Sequence, residues 1–202
     1  EQRRTDILDA ARALIEGEGY VSLSMRALAA DAGVSPATLY SYFATKEELF
    51  ATLYGEAIRN YTADFESIVA DQPGIHVLLE RLAELYVELY RRYGRHYGTW
   101  SMVRRDPDAK FTISHEVLLE LRSASVAHNR AQMPAIVAAA ARDGRQLRDA
   151  EVAPSVLWAF LTGIADHVTS ERGDLDPYGQ ERFLAGAVDA LVAALTAPTD
   201  AP

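Results

Sequence analysis

Apolar residues recur along nearly the whole chain with the three-and-four spacing of a helix face. No stretch alternates with the period of two that a half-buried strand requires. Ile7, Leu8, Ala11, Leu14 and Ile15 form the first stripe, which Gly17 and Gly19 are expected to end. Ser24 precedes Met25, Leu28 and Ala29, a short helix stopped by Gly33. Ser35-Pro36 opens the next, with serine placed to cap backbone N–H groups and proline at the first helical position, where its missing N–H costs nothing. Thr45 and Glu48 are spaced as a capping box and start a long helix to about Ala70, broken by Asp71-Gln72-Pro73-Gly74.

Beyond that break, Ile75, Leu78, Leu79, Leu82, Leu85, Leu89 and Tyr93 make a second long stripe. A shorter helix is expected around Trp100 and Val103, ending near Asp106-Pro107. Residues 110–143 read as helix up to Gly144, with Pro134 expected to kink or split it. Residues 151–171 form another, ended by Gly173, and Asp176-Pro177 is expected to open the last, to about Leu195. Three short helices followed by about six longer ones give an all-α fold of about nine helices, an N-terminal three-helix head on a C-terminal helical bundle. The expected domains are a helix-turn-helix head at 1–46, a helical bundle at 47–196 and a disordered tail at 197–202.

Composition narrows the function. Of 202 residues, 49% are hydrophobic, enough for a sizeable core, yet no run of apolar residues is long enough to span a membrane. The opening Glu-Gln-Arg-Arg has no apolar stretch behind it, so no signal peptide is expected, and the lack of an initiating Met leaves room for a missing upstream arm. With no cysteine, a cytoplasmic protein is expected. The net charge of −9 runs against nucleic-acid binding, but its distribution does not. Residues 1–46 hold five basic and six acidic side chains, and the remainder fifteen and twenty-three. An acidic body repels DNA wherever it is not docked and so favours one orientation.

The most informative stretch runs from Leu23 to Phe43: two short helices joined by a tight turn at Gly33. Leu28, Ala29, Val34, Leu39 and Phe43 are placed to hold the pair against the first helix. The outward face of the second then shows Pro36, Ala37, Thr38, Tyr40 and Tyr42, small or hydroxyl-bearing groups that fit close to a major groove. Ser35 opens this face, and Lys46 adds an ammonium in the first turn of the following helix, suited to a phosphate. A helical hairpin within a bundle is the plainer reading, but so short a helix is not stable for its own sake, and two tyrosines facing water await a partner.

Gly33-Val-Ser-Pro-Ala-Thr-Leu-Tyr-Ser-Tyr-Phe43, followed by Thr45-Lys-Glu-Glu-Leu-Phe50, resembles the signature of the TetR family of bacterial repressors, with Ile7 to Ala13 and Gly19 to Ala32 matching the flanking pattern. The resemblance covers about residues 3–55. It implies a three-helix DNA-binding head, a divergent body that binds an effector and dimerises, and a palindromic operator in double-stranded DNA. The family's DNA contacts carry over to Ser24 and Arg26, to Pro36, Ala37, Thr38, Tyr40 and Tyr42, and to Lys46. Pro36, Ala37 and Ser41 offer few long side chains where the family often carries a more polar residue. Readout of DNA shape, or an arginine from an N-terminal arm whose visible end is Arg3 and Arg4, is therefore expected to contribute.

The resemblance implies that the two final helices form a four-helix interface with a second copy; completing the core of the single chain is the plainer alternative. Val156, Phe160, Gly163, Ile164 and His167 face one way on the first, and Phe183, Leu184, Ala187, Val188, Leu191, Ala194 and Leu195 line the second. Candidates for an effector pocket are Tyr86, Tyr90, Trp100, Met102, Phe111, Leu121, His128, Trp158, Leu161, Thr162 and Asp166, a mix suited to a partly apolar small molecule with one or two polar anchors. Ordinary core packing explains most of them equally well. Arg91, Arg92, Arg95, Arg104 and Arg105 read as a solvated basic face. The helix from Lys46 to Ala70 is the expected lever between pocket and head. No enzyme, cofactor or metal is expected: His115-Glu116 lacks a second histidine at Leu119, no glycine-rich phosphate loop exists, and no serine sits in a nucleophile elbow.

Overall fold

The computed structural model describes residues 2–93, 115–170, 173, 175 and 177–199. Its helices are α1 (Gln2–Ser22), α2 (Met25–Asp31), α3 (Pro36–Tyr42), α4 (Lys46–Ala70), α5 (Ile75–Tyr93), α6 (His115–Arg142), α7 (Ala153–Val168) and α8 (Gln180–Leu195). The strands β1 (Arg145–Leu147) and β2 (Thr196–Pro198) complete the described elements. The all-helical class read from the periodicity therefore holds, with one small two-stranded sheet added. Among the described residues no helix is long and apolar enough to cross a membrane.

The chain divides into two compact units, one of Glu1–Ile58 with Arg91–Ser125, the other of Arg59–Tyr90 with Val126–Pro202. In the first, Ile7, Leu8, Ala11 and Ile15 of α1 join Leu28 and Ala29 of α2, Leu39 and Phe43 at α3, and Leu49, Phe50 and Leu53 of α4 in one buried cluster. Arg12 ties α1 to α4 through Glu56 at 2.9 Å, and the Arg4 guanidinium lies 5.4 Å from the centre of the Phe43 ring. In the second unit the buried side chains come from α4, α5, α6, α7 and α8, among them Phe65, Leu79, Leu82, Ile136, Leu161 and Leu191.

Several boundaries differ from the expected ones. Helix α1 runs through Gly17 and Gly19 to Ser22. A glycine inside a helix costs only about 1 kcal/mol against alanine, too little to stop a helix held by a packed stripe. Arg3 and Arg4 consequently belong to α1 rather than to an arm. Helix α6 carries Pro134 inside it without being split. Helix α8 starts at Gln180, not at Asp176-Pro177, because Gly179 takes a φ of +81°, outside the helical region. The expected helix around Trp100 and Val103 lies outside the described residues.

The expected disorder from Ala197 also gives way. Thr196–Pro198 pairs antiparallel with Arg145–Leu147 in the register Arg145 to Pro198, Gln146 to Ala197 and Leu147 to Thr196. Gly144, at φ +64°, turns the chain out of α6 into this sheet. The Arg145 guanidinium donates to Thr196 Oγ1 at 2.6 Å, and Arg148 donates to the Ala193 carbonyl at 2.8 Å near the C-terminus of α8. Three-residue strands carry too little alternation to register as a pattern in sequence.

At the α5 N-terminus the Asp143 carboxylate accepts the Ile75 N–H at 2.8 Å, satisfying a backbone group the helix itself cannot. A β-carbon at Gly74 would collide with the same carboxylate, so a side chain there would push Asp143 off its capping position.

Candidate functional site

The helix-turn-helix is built by caps. Ser24 Oγ accepts from the Ala27 N–H at 3.1 Å and starts α2. At the C-terminal end of α2 the Gly33 N–H bonds to the Ala30 carbonyl and the Val34 N–H to the Ala29 carbonyl. The Gly33 φ of +64° makes that reversal, a conformation that disfavours side chains. Ser35 Oγ then accepts from the Thr38 N–H at 3.0 Å and shares a hydrogen bond of 2.8 Å with Thr38 Oγ1. Thr45 Oγ1 accepts from the Glu48 N–H at 3.0 Å to start α4. The Glu48 carboxylate reaches back to the Ala44 N–H, one residue earlier than a capping box requires.

Helix α3 is two-sided. Leu39 and, just past its end, Phe43 are buried in the cluster of the first unit. Pro36, Ala37, Tyr40, Ser41 and Tyr42 are exposed and Thr38 half-exposed, with Tyr40 at 52% and Tyr42 at 39%. Ser24 and Arg26 are exposed at the start of α2. Lys46 is half-buried, and that burial lowers its ammonium pKa, with Glu47 pulling the other way. All the residues assigned to DNA reading thus reach solvent on the first unit, Thr38 and Lys46 only in part. The hydroxyls of Ser24 and Ser35 are occupied by capping, so both serines first have a structural role.

The closing pair α7 and α8 pack on each other, which separates the twelve residues assigned to a dimer face. Ile164, Val188, Leu191 and Leu195 are at most 3% exposed inside the protomer, so their burial needs no second copy. An apolar stripe wide enough to face both a core and a partner does not reveal in sequence which half turns inward. Val156, Phe160, His167, Phe183, Leu184 and Ala187 are half-buried, and Gly163 and Ala194 exposed. His167 stacks on Phe183 with ring centres 4.0 Å apart. A groove of about 360 Å³ runs past Tyr178, Arg182, Phe183, Gly186 and Ala187, with Arg182 lying 5.2 Å from the Tyr178 ring centre. A β-carbon at Gly163 or at Gly186 would meet nothing within 4 Å.

Of the pocket candidates, Tyr86, Tyr90 and Leu161 are buried, and Thr162 and Asp166 half-buried. The Thr162 hydroxyl is turned to its own helix, donating to the Trp158 carbonyl at 2.8 Å. Trp158 itself is 41% exposed, a correction to its placement among the inward-facing pocket residues: on α7 it falls one residue after the buried Leu157 and so turns outward. Trp100, Met102 and Phe111 lie outside the described residues, as do the side chains of Leu121 and His128. Burial, with the Asp166 charge adding to it, pushes the Tyr90 phenol up to about 12.

Two interior residues were not anticipated. Tyr61 is buried edge-on against Tyr86, ring centres 5.3 Å apart, and its hydroxyl accepts from Gln132 Nε2 at 3.3 Å. Burial raises the Tyr61 phenol well above its ordinary value. The available signal was the spacing of Gln132 four residues before Ile136, which puts a polar side chain on a buried stripe.

The chain matches the model of bacterial regulatory proteins of the tetR family over residues 7–53. It is 42% identical over 53 residues to an HTH-type transcriptional regulator of Mycobacterium tuberculosis, covering 26% of this chain and 25% of that one. It is 30% identical over 87 residues to the HTH-type transcriptional regulator UidR of Escherichia coli, covering 43% and 44%. The matched part thus spans less than half the length of either curated relative. In fold it is similar to the transcriptional regulator FadR of Bacillus subtilis, solved in complex with stearoyl-CoA, with a TM-score of 0.61 and 16% identity over 94% of this chain and 98% of that one.

Proposed function

Because the chain belongs to the tetR family of bacterial regulatory proteins through residues 7–53, we propose that it is a DNA-binding transcriptional regulator of the bacterial cytoplasm. In this reading it is a homodimer that represses from a palindromic operator and lets go when a small molecule binds. The observation that carries it is α3: Tyr40 and Tyr42 stand in solvent on a seven-residue helix whose other side, Leu39 with Phe43, is locked into the core. Nothing among the described residues rewards exposing two aromatic rings there, whereas a groove wall does. Lys46 adds a cation for a phosphate, and Arg26 a second long donor.

A two-fold operator calls for a two-fold protein, with heads about 34–36 Å apart. The outer face of α7 and α8, with Val156, Phe160, Gly163, His167, Phe183, Leu184, Ala187 and Ala194, is the surface we assign to the second copy, joined by the exposed Trp158. Tyr86, Tyr90 and Leu161, with Asp166, are assigned to the effector site. Their mix of aromatic surface and few polar atoms suits a largely apolar molecule, in keeping with the acyl chain in the Bacillus subtilis neighbour. Helix α4 runs unbroken from the first unit into the second, as a lever between the proposed effector site and the DNA-reading head would. Moving such a switch from 1:99 to 99:1 takes roughly 5.5 kcal/mol of preference for one state.

The test is a footprint on promoter DNA beside the chain's own gene. A symmetric protected region is expected, lost in Tyr42→Ala and Lys46→Ala variants that still fold, with affinity falling as salt rises. A salt-independent or asymmetric footprint rejects the reading.

A further inference from the structure

The exposed face of α3 is unusual in what it lacks. At 100° per residue, Leu39 and Phe43 define the buried direction, and the positions opposite them are Ala37, Thr38 and Ser41, with Tyr40 and Tyr42 to either side. The middle of the reading face is therefore a low ridge of methyl and methylene groups between two phenols. Hydrogen-bonded reading of a purine edge in the major groove uses a long arm ending in hydrogen-bonding groups: arginine or lysine on guanine, asparagine or glutamine on adenine. Helix α3, Pro-Ala-Thr-Leu-Tyr-Ser-Tyr, carries none of these.

Its short hydroxyls are already engaged. Ser35 Oγ is bonded to both the Thr38 N–H and Thr38 Oγ1, leaving one hydroxyl hydrogen between the two side chains. The Ser41 hydroxyl donates to the Thr38 carbonyl at 2.7 Å. What remains at the centre of the face is apolar surface on a backbone that small side chains allow close to the bases. The base edge that answers such a surface is the thymine C5-methyl group.

We propose that the chain reads its operator mainly through thymine methyl groups lying under Ala37, Thr38 and Ser41, with Tyr40 and Tyr42 set towards the groove walls. This rests on the DNA-reading role proposed above, and the experiment separates the two. The full chain is used to select duplexes from a random library long enough for two half-sites, and the enriched duplex is then resynthesised with single base analogues.

Replacing the central thymine of each half-site by 2′-deoxyuridine removes only a methyl group. It is expected to weaken binding about fourfold per half-site and about fifteenfold for both, the ratio for roughly 0.8 kcal/mol per buried methyl. Replacing purines by their 7-deaza analogues, which removes the N7 acceptor, is expected to change affinity by less than about twofold. Thr38→Ser, which keeps the hydroxyl and removes the methyl, is expected to bind the thymine duplex about fourfold less tightly per half-site. It is also expected to become indifferent to deoxyuridine at one position. An enriched duplex indifferent to deoxyuridine, or one whose 7-deaza loss is the larger, overturns methyl reading while leaving DNA binding intact. No enrichment at all overturns both.

Discussion

The head and the closing helix pair both leave large apolar side chains in solvent, but they do it differently. On α3 the exposed aromatics are tyrosines, each ending in a hydroxyl, above a core so complete that Leu39 is 0% and Phe43 1% exposed. On α7 and α8 the exposed or half-exposed groups are Trp158, Phe160, Phe183 and Leu184, interspersed with Gly163 and Gly186. A phenol is apolar on its face and wet at its tip, so it suits a hydrated, anionic partner. Phenylalanine and leucine beside glycine suit a dry partner of the same kind, approached closely. The same excess of exposed hydrophobic surface therefore points to two different partners, and side-chain chemistry rather than exposure distinguishes them.

This contrast can be broken most severely in the head. Phe43→Ala is expected to remove about 3–5 kcal/mol of stability, because it empties a fully packed position. Denaturant unfolding followed by circular dichroism checks this, and a loss under 1 kcal/mol contradicts the packed head. Next in size, Gly163→Arg introduces a charge where the protomer has open space. The helical content and unfolding midpoint are expected to hold while dimer dissociation becomes at least a hundredfold easier, about 3 kcal/mol. Sedimentation equilibrium reads this directly, and an unchanged dimer would remove α7 from the interface.

Smaller effects sharpen the comparison inside each region. Tyr61→Phe leaves the buried Gln132 amide without the Tyr61 hydroxyl it donates to and is expected to cost about 1–2 kcal/mol in the second unit. Ser35→Ala strips the cap of α3 and is expected to cost about 1 kcal/mol in the head, read as faster amide exchange in α3. The pH response of Tyr90 comes last. Its folded pKa of about 12 lies above the unfolded value near 10, so its contribution is complete below pH 10 and is lost as pH rises towards 12. Unfolding midpoints measured across that range are expected to fall, and to fall less in Tyr90→Phe.

The head was the more legible region because its instructions are local. Ser24, Gly33, Ser35, Pro36 and Thr45 each act within four residues of themselves, and each does in the structure what its type and spacing imply. The closing pair was less so: Ile164 and Phe160 carry the same apolar signal, yet one is core and the other surface, a choice made by tertiary packing. The β1–β2 pairing joins residues some fifty positions apart, and Asp143 caps a helix that begins at Ile75, so neither leaves a mark in any short window. Gly17 and Gly19 misled in the other direction, since the small cost of a glycine yields to a well-packed helix face.

The stitching of β2 to β1 has a practical side. Residues after Leu195 hold Arg145 through Thr196 and return the Thr199 N–H to the Gly144 carbonyl at 2.9 Å. Residues 196–199 are thus a fastener for the turn that leaves α6. Affinity tags or fluorescent fusions joined directly at Pro198 would tug on that fastener, whereas a generous spacer between them would leave it closed.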